Sequence, residues 1–239
     1  SAVPTISLPS GFLGSILAGE ASASDTKHYQ DNSRRYNASM SFLSFGDAGG
    51  GSSADRITGR GPPVTIVHGQ PYHAISTLLP SEGRSPANGQ LYIFDPHEAA
   101  ERRTEADPGL RKPFLIAFHQ CLLDCRNLYA RHYNYVHEVI IEQEASANPE
   151  PVVLRFRSGV VPDPRRYNQP SSGDIAAVYV GEHPPTSRDI SVYPRSADGK
   201  GDTRQVSYLN CHVDPMTYPL LFPHGETGWC PDMQVAASV

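Results

Sequence analysis

Residues 107–143, DPGLRKPFLIAFHQCLLDCRNLYARHYNYVHEVIIEQ, contain the strongest periodic pattern in the sequence. Apolar and aromatic side chains recur in it at three- and four-residue spacing, which is the period of one face of an α-helix. The stripe consists of Leu110, Phe114, Phe118, Cys121, Leu122, Cys125, Tyr129, Val136 and Ile140. We therefore expect one long core helix over this run, with a bend or break near Tyr133.

Short segments rich in β-branched and aromatic residues flank this helix on both sides. Before it, we expect strands at residues 40–45 and 90–94, and a hairpin of residues 64–67 with 72–76. After it, we expect strands at 152–156 and 175–180, and a loose hairpin of 190–193 with 206–209. The sequence thus predicts an α+β fold, with small antiparallel sheets and one long core helix.

Two Asp-Pro pairs have the pattern of a helix start, because aspartate caps the first turn and proline suits the first helical position. Asp95-Pro96 predicts a helix that runs to about Arg103, and Asp107-Pro108 predicts the start of the long helix.

We expect three parts along the chain: an N-terminal segment (1–25), an α+β subdomain with the long helix (26–144), and a β-rich subdomain (145–239). Residues 46–63 have the composition of a long surface loop.

Composition limits the class of protein. The chain has 239 residues, 38% of them hydrophobic, and no apolar run reaches the roughly 18–20 residues of a membrane span. We expect a soluble intracellular protein without a membrane partner, and a part of a longer chain. The net charge of −5 excludes a basic coat for DNA, but 20 basic residues include only three lysines (Lys27, Lys112 and Lys200), and local arginine patches can still bind phosphate.

Neither the cysteines nor the histidines have the spacing of a metal site. Cys121 and Cys125 lie four residues apart, and Cys211-His212 and Cys230 lie near the end, which matches no dense disulfide framework or zinc motif. We expect reduced cysteines, no metal and no cofactor. His68 with His73, and Cys211-His212 with Cys230, are the weaker alternatives.

Tyr129 and Tyr133 lie one helical turn apart, as paired nucleophiles of DNA strand transfer would. Nucleases of that kind also need metal-binding histidines in a His-x-His triplet, and the sequence contains none. Tyr129 is in register with the apolar stripe, so we interpret it as a core or boundary tyrosine. We assign no catalytic residue.

The tetrapeptide Arg-Arg-Tyr-Asn occurs twice, at residues 34–37 and 165–168. Each copy offers two arginines for phosphates, a ring that can stack on a base, and an amide. Our DNA-binding candidates are therefore Arg34, Arg35, Tyr36, Asn37, Arg165, Arg166, Tyr167 and Asn168. The alternative is a helix end and a turn in which tyrosine packs, asparagine caps and the arginines are solvated.

Residues 218–229, YPLLFPHGETGW, combine an apolar cluster with two prolines, two glycines and the only tryptophan of the chain. The prolines forbid a regular helix or a central strand. We expect a rigid, sharply turned segment anchored by Leu220, Leu221, Phe222 and Trp229, which acts as a docking junction.

Read in order, eight motifs resemble the N-terminal region of Helitron transposases over about residues 30 to 230. They are Arg35-Tyr-Asn37, Ser41-Phe-Leu-Ser-Phe-Gly46, Val67-His-Gly-Gln-Pro-Tyr-His73, Gly89-Gln-Leu-Tyr-Ile-Phe-Asp95, Arg166-Tyr-Asn-Gln-Pro170, Asp174-Ile-Ala-Ala177, Arg188-Asp-Ile190 and Tyr218-Pro-Leu-Leu-Phe-Pro-His-Gly-Glu-Thr-Gly-Trp229.

The resemblance implies a nuclear, eukaryotic rolling-circle transposase whose full chain also carries a replication-initiator nuclease and a helicase. The present chain lacks the His-x-His motif and the helicase phosphate loop, so no catalytic residue carries over. For this chain, the resemblance implies a non-catalytic module that supports those downstream domains, with Phe222 and Trp229 at the junction. The same module is expected to contribute to binding transposon DNA. The alternatives are a structural or protein-interaction scaffold without DNA binding, and a metal-dependent nuclease, which bound metal and nicking activity would reveal.

Overall fold

The computed structural model describes residues 9, 11–47, 55–57, 64–66, 71–157, 176–181, 189–195, 203–229 and 231. Its helices are α1 (Gly11–Leu17), α2 (Ala23–Met40), α3 (Pro96–Ala106), α4 (Lys112–Asp124), α5 (Leu128–Glu144) and α6 (Val213–Thr217), with a 3-10 helix over Asn88–Ile93. Its strands are β1 (Leu43–Asp47), β2 (Asp55–Ile57), β3 (Val64–Ile66), β4 (Pro71–Ser76), β5 (Val152–Phe156), β6 (Ala176–Val180), β7 (Ile190–Val192) and β8 (Thr203–Val206).

Residues 107–143 form two helices, α4 and α5, instead of the one expected. Arg126 adopts a left-handed conformation (φ 54°), which an α-helix cannot continue through. Asn127 then starts α5, because its Oδ1 accepts hydrogen bonds from the backbone N–H groups of Tyr129 (3.1 Å) and Ala130 (3.2 Å). The break therefore lies at residues 125–127 and not near Tyr133.

The described strands form two antiparallel sheets of three strands and one separate antiparallel pair. The sheet orders are β1-β4-β8 and β6-β5-β7, and β2 pairs with β3. The predicted α+β class with small antiparallel sheets is confirmed. The sheet β1-β4-β8 combines strands from both sides of the boundary expected at residue 145.

Both predicted hairpins are wrong, because in neither of them do the two strands pair with each other. β3 pairs with β2, whereas β4 lies between β1 and β8. β7 pairs with β5, whereas β8 pairs with β4, where Val206 lies opposite His73. Alternation within a segment predicts a strand but does not identify its neighbour.

The strand predicted at residues 90–94 is also wrong, since Asn88–Ile93 is a 3-10 helix. Gln90 stabilises this turn: its Oε1 accepts from the Ala87 N–H (3.0 Å) and its Nε2 donates to the Thr77 carbonyl (2.8 Å). The Tyr92 hydroxyl donates to the Met40 carbonyl at 2.6 Å. One local and two longer-range side-chain bonds to backbone groups thus hold the 3-10 helix, despite the β-rich composition.

One of the two Asp-Pro helix starts is confirmed. Asp95 caps α3, with its Oδ1 accepting from the N–H groups of His97 (2.8 Å) and Glu98 (3.1 Å). Asp107 instead lies at the end of α3, and α4 begins only after Arg111. The long helix was expected to start at Asp107-Pro108, but α4 starts one short turn later, at Lys112.

Aromatic packing joins the helices to the sheets. The rings of Phe42 and Tyr92 stack with centroids 4.2 Å apart, and Phe156 of β5 lies 5.2 Å from Tyr129 and 6.4 Å from Tyr133 of α5. One face of the sheet β6-β5-β7 therefore packs on α5. No described helix is long and apolar enough to cross a membrane.

Candidate interaction surface

Residues 207–229 are held in place by hydrogen bonds to distant parts of the chain. Asn127, at the start of α5, donates from its Nδ2 to the carbonyls of Phe222 and Pro223, both at 3.1 Å. The Phe42 N–H donates to the Met216 carbonyl at 2.8 Å. The backbone of this segment is therefore fixed by the core, and the rigidity expected from Pro219 and Pro223 agrees with this.

Its two glycines are required by geometry. Gly225 has a left-handed φ of 74°. A Cβ at Gly228 would lie only 2.7 Å from the Asp214 Cβ, and the Gly228 N–H donates to the Cys211 carbonyl at 2.9 Å. These approaches bring the end of the segment back against α6.

Several large apolar side chains of this segment are nevertheless exposed. Tyr208 is 70% exposed, Leu221 57% and Trp229 54%, and Tyr218 is also exposed. We call these four residues the carboxy-terminal turn surface. The Trp229 N–H donates to Asp214 Oδ2 at 3.1 Å, so a fixed backbone presents the exposed indole.

Of the four expected anchors, Leu220 is buried and Phe222 is partly buried, whereas Leu221 and Trp229 are exposed. Leu221 and Trp229 therefore do not anchor the segment to the described residues. Their exposure leaves both side chains available to a partner.

In the first Arg-Arg-Tyr-Asn copy, Tyr36 and Asn37 make contacts within the protein. Tyr36 is fully buried, and its hydroxyl accepts from the Arg111 N–H at 2.9 Å. Asn37 Nδ2 donates to the Thr217 carbonyl at 2.8 Å. The ring of Tyr36 cannot stack on a base, and the Nδ2 donor of Asn37 already has a partner, so both act as structural residues here.

The two arginines of this copy differ. Arg35 forms an ion pair with Asp107, with Nε to Oδ2 at 3.0 Å, and this hydrogen bond raises the pKa of the guanidinium. Arg34 is exposed and makes no ion pair with any described residue. The second copy, Arg165, Arg166, Tyr167 and Asn168, lies outside the described residues.

Sequence reasoning missed a second group of arginines and a tyrosine. The guanidinium carbons of Arg155 and Arg157 lie 4.7 and 5.8 Å from the ring centroid of Tyr179. Arg157 Nε also donates to the Tyr179 hydroxyl at 3.1 Å. The available signal was the Arg-x-Arg spacing at the end of the strand 152–156, which places both side chains on one face.

Tyr129 is a core residue, as interpreted from the sequence, and Tyr133 is a core residue as well. Both are buried, and burial raises the pKa of both phenols. The Tyr129 hydroxyl lies 2.9 Å from His212 Nδ1, and His212 Nε2 lies 2.9 Å from the Arg157 carbonyl. A carbonyl only accepts, so Nε2 carries the proton and Nδ1 accepts from Tyr129.

The metal alternatives gain no support from these positions. Both ring nitrogens of His212 are hydrogen-bonded, and burial lowers its pKa. His68 and Cys230 lie outside the described residues. Among the residues that are described, no three His, Cys, Asp or Glu side chains group together as a metal site.

Neither a protein-family model nor a curated protein matches this sequence.

Proposed function

We propose that this chain is a non-catalytic module of a Helitron-like rolling-circle transposase, acting in the nucleus. It supports the nuclease and helicase of the same protein and contributes to binding transposon DNA. The observation that carries this proposal is the carboxy-terminal turn surface, which presents exposed apolar side chains from a backbone fixed by the core.

Docking of the downstream domains is the first part of the proposal. Trp229 and Leu221 are large, apolar and more than half exposed, and rings of this kind act as anchors when a partner pocket covers them. Because Asn127 and Asp214 hold the surrounding backbone, little conformational freedom is lost on docking. Phe222, which follows Leu221 in the chain and is partly buried, completes the junction.

The docking test uses Trp229 as the single tryptophan of the chain. Incorporation of 5-fluorotryptophan gives one fluorine resonance, to be followed by NMR while the unlabelled nuclease–helicase portion of a Helitron transposase is added. We expect the resonance to shift or broaden as the indole becomes covered. An unchanged resonance at saturating partner would overturn the docking function.

A matched pair of variants locates the contact. Leu221→Asp places a charge in the proposed junction and should weaken association by about tenfold or more. Ile141→Asp makes the same change at a side chain of similar exposure on α5, 53% against 57%. We expect Ile141→Asp to leave association unchanged, and equal effects of both variants would place the junction elsewhere.

DNA binding is the second part of the proposal. Exposed Arg34 and the sequence Arg165-Arg166 supply guanidinium groups suited to phosphates. Binding to labelled single-stranded and duplex DNA should be measured across a salt series, since phosphate contacts impose a steep loss of affinity with salt. Glutamate at positions 34, 165 and 166 together should abolish binding, and full affinity in that variant would overturn these candidates.

A scaffold without DNA binding of its own is the second candidate. It is favoured by the positions of Tyr36, which is buried, and Arg35, which is paired with Asp107. It predicts no DNA binding even at low salt, together with unchanged docking through Trp229. The salt series therefore separates the two candidates.

A further inference from the structure

The sheet β6-β5-β7 has one face against α5. Its other face carries a group of charged and aromatic side chains that has no role so far in the proposed function. In β5, Val152, Leu154 and Phe156 point toward α5, so the alternate residues Val153 and Arg155 point the other way. Tyr179 lies opposite Val153 and therefore shares that second face. Arg157, directly after β5, continues the same alternation.

The guanidinium groups of Arg155 and Arg157 thus both contact the phenol ring of Tyr179. Arg155 lies over the Tyr179 ring, and Arg157 donates to its hydroxyl from both Nε and Nη2. Arg157 is exposed and Tyr179 is partly exposed, whereas Arg155 is buried. The guanidinium group of Arg157 is the exposed one of the two, so it can reach an anion directly.

From this juxtaposition we infer that Arg155, Arg157 and Tyr179 form a contact site for single-stranded nucleic acid. Arginine binds phosphate through its planar set of donors, and an aromatic ring flanked by arginines stacks on unpaired bases. An acidic peptide would use the charges but not the ring, so the combination favours nucleic acid. This inference names the site of the DNA contact in the proposed function and rests on that part of it.

One carboxylate opposes the proposed site. Phe156 pairs with Ile190 and Arg155 with Ser191, so the register places Asp189 across β5 from Arg157. A carboxylate at this position lowers the net positive charge of the site and so weakens its attraction for phosphate. Asp189→Asn should therefore tighten binding several-fold, an effect opposite in sign to the loss of either arginine.

The test is fluorescence anisotropy of a labelled oligo-dT strand with the full chain across a salt series. Arg157→Glu should lower the affinity about tenfold or more at low salt and reduce the salt slope by about one. Tyr179→Leu should weaken binding about fivefold or more through lost stacking. Arg84→Glu, an equal charge change at an exposed loop residue, should change the affinity less than about twofold.

The outcomes separate the site from the general function. Binding by the unaltered chain that survives Arg157→Glu and Tyr179→Leu overturns this site but keeps the DNA function. Absence of binding at low salt overturns both. Equal affinity for poly-glutamate would show that the site selects charge alone and would overturn the nucleic-acid assignment. Circular dichroism checks the fold, and Arg157→Gln replaces Arg157→Glu if the latter unfolds.

Discussion

Two groups of buried polar side chains in this protein differ in how completely they are hydrogen-bonded. At the start of α5, Asn127, Tyr129 and His212 form a chain in which the donors and acceptors are matched. Between α3 and α4, Arg103 and His119 are equally buried. Among the described residues, however, neither ring nitrogen of His119 and neither Nη of Arg103 has a hydrogen-bond partner.

The difference reflects what each group joins. The matched group links α5 to segments 83 to 96 residues away, at His212, Phe222 and Pro223, so its bonds define the tertiary structure. Arg103 makes one bond, from Nε to the Ser39 carbonyl near the end of α2 at 3.0 Å, and lies over the Tyr92 ring. Burial of an unbonded polar group costs free energy, whereas a matched group recovers it.

The largest expected effect comes from removing Asn127. Asn127→Ala deletes the cap of α5 and leaves the partly buried Phe222 carbonyl and the buried Pro223 carbonyl without their donor. We expect the free energy of unfolding to fall by about 3 kcal/mol, measured by urea denaturation. Asn134→Ala, at an exposed position of the same helix, should change it by less than about 0.5 kcal/mol. Equal small losses in both variants would show that the hydrogen bonds of Asn127 do not contribute to stability.

Tyr129→Phe tests the matched chain at one atom. Without the hydroxyl, His212 Nδ1 remains buried with no donor, and we expect a loss of about 1.5 kcal/mol in urea denaturation. Tyr135→Phe removes a hydroxyl from an exposed tyrosine of the same helix and should be neutral. A neutral Tyr129→Phe would mean that the hydrogen bond contributes nothing to stability.

His119→Leu should stabilise the protein, by about 1 kcal/mol at neutral pH, because it replaces an unbonded buried imidazole by an apolar side chain. Burial lowers the pKa of His119 to about 3, below the unfolded value of about 6.5. As the pH falls through this window, the unfolded state binds the proton first and the native state loses stability. The advantage of His119→Leu should therefore widen by at most about 1.4 kcal/mol per pH unit.

Thermal melts of both proteins between pH 7 and pH 4 measure this difference directly. A variant that is less stable than the unaltered chain at every pH would show that the imidazole has a partner, such as a buried water.

Arg103→Met gives the smallest expected effect. The variant loses the bond to Ser39 and a cation at the end of α2, but it also removes a buried charge with two unbonded nitrogens. These contributions oppose each other, so we expect a change within about 1 kcal/mol in urea denaturation. A loss above about 3 kcal/mol would place Arg103 with the matched group instead.

Local sequence patterns predicted the elements that depend on neighbouring residues. The cap at Asp95 and the strands at residues 152–156 and 176–180 follow from spacing and composition. The break at Arg126 was not predictable in the same way, because a left-handed arginine has no preferred residue pattern. It occurs where Asn127 can both cap α5 and bond the carbonyls of a segment 95 residues later.

The candidate site was less predictable, because it depends on which side chains the fold leaves outside. The two Arg-Arg-Tyr-Asn copies look identical in the sequence, yet Tyr36 of the first is buried against Phe114 and Phe118. The Arg155, Arg157 and Tyr179 group becomes visible only after β5 and β6 are paired. The exposure of Trp229 likewise depends on how the backbone at Gly228 and Trp229 is bonded to Cys211 and Asp214, which composition does not reveal.

The position of β8 in the sheet with β4 has a consequence for the order of folding. His73 pairs with Val206, so the middle strand of this sheet gains its second neighbour only after about 130 further residues have left the ribosome. Until then, β4 presents an open row of backbone N–H and C=O groups to any other chain nearby. A protein interrupted before Thr203 should therefore aggregate through β4, whereas the complete sheet closes that edge itself.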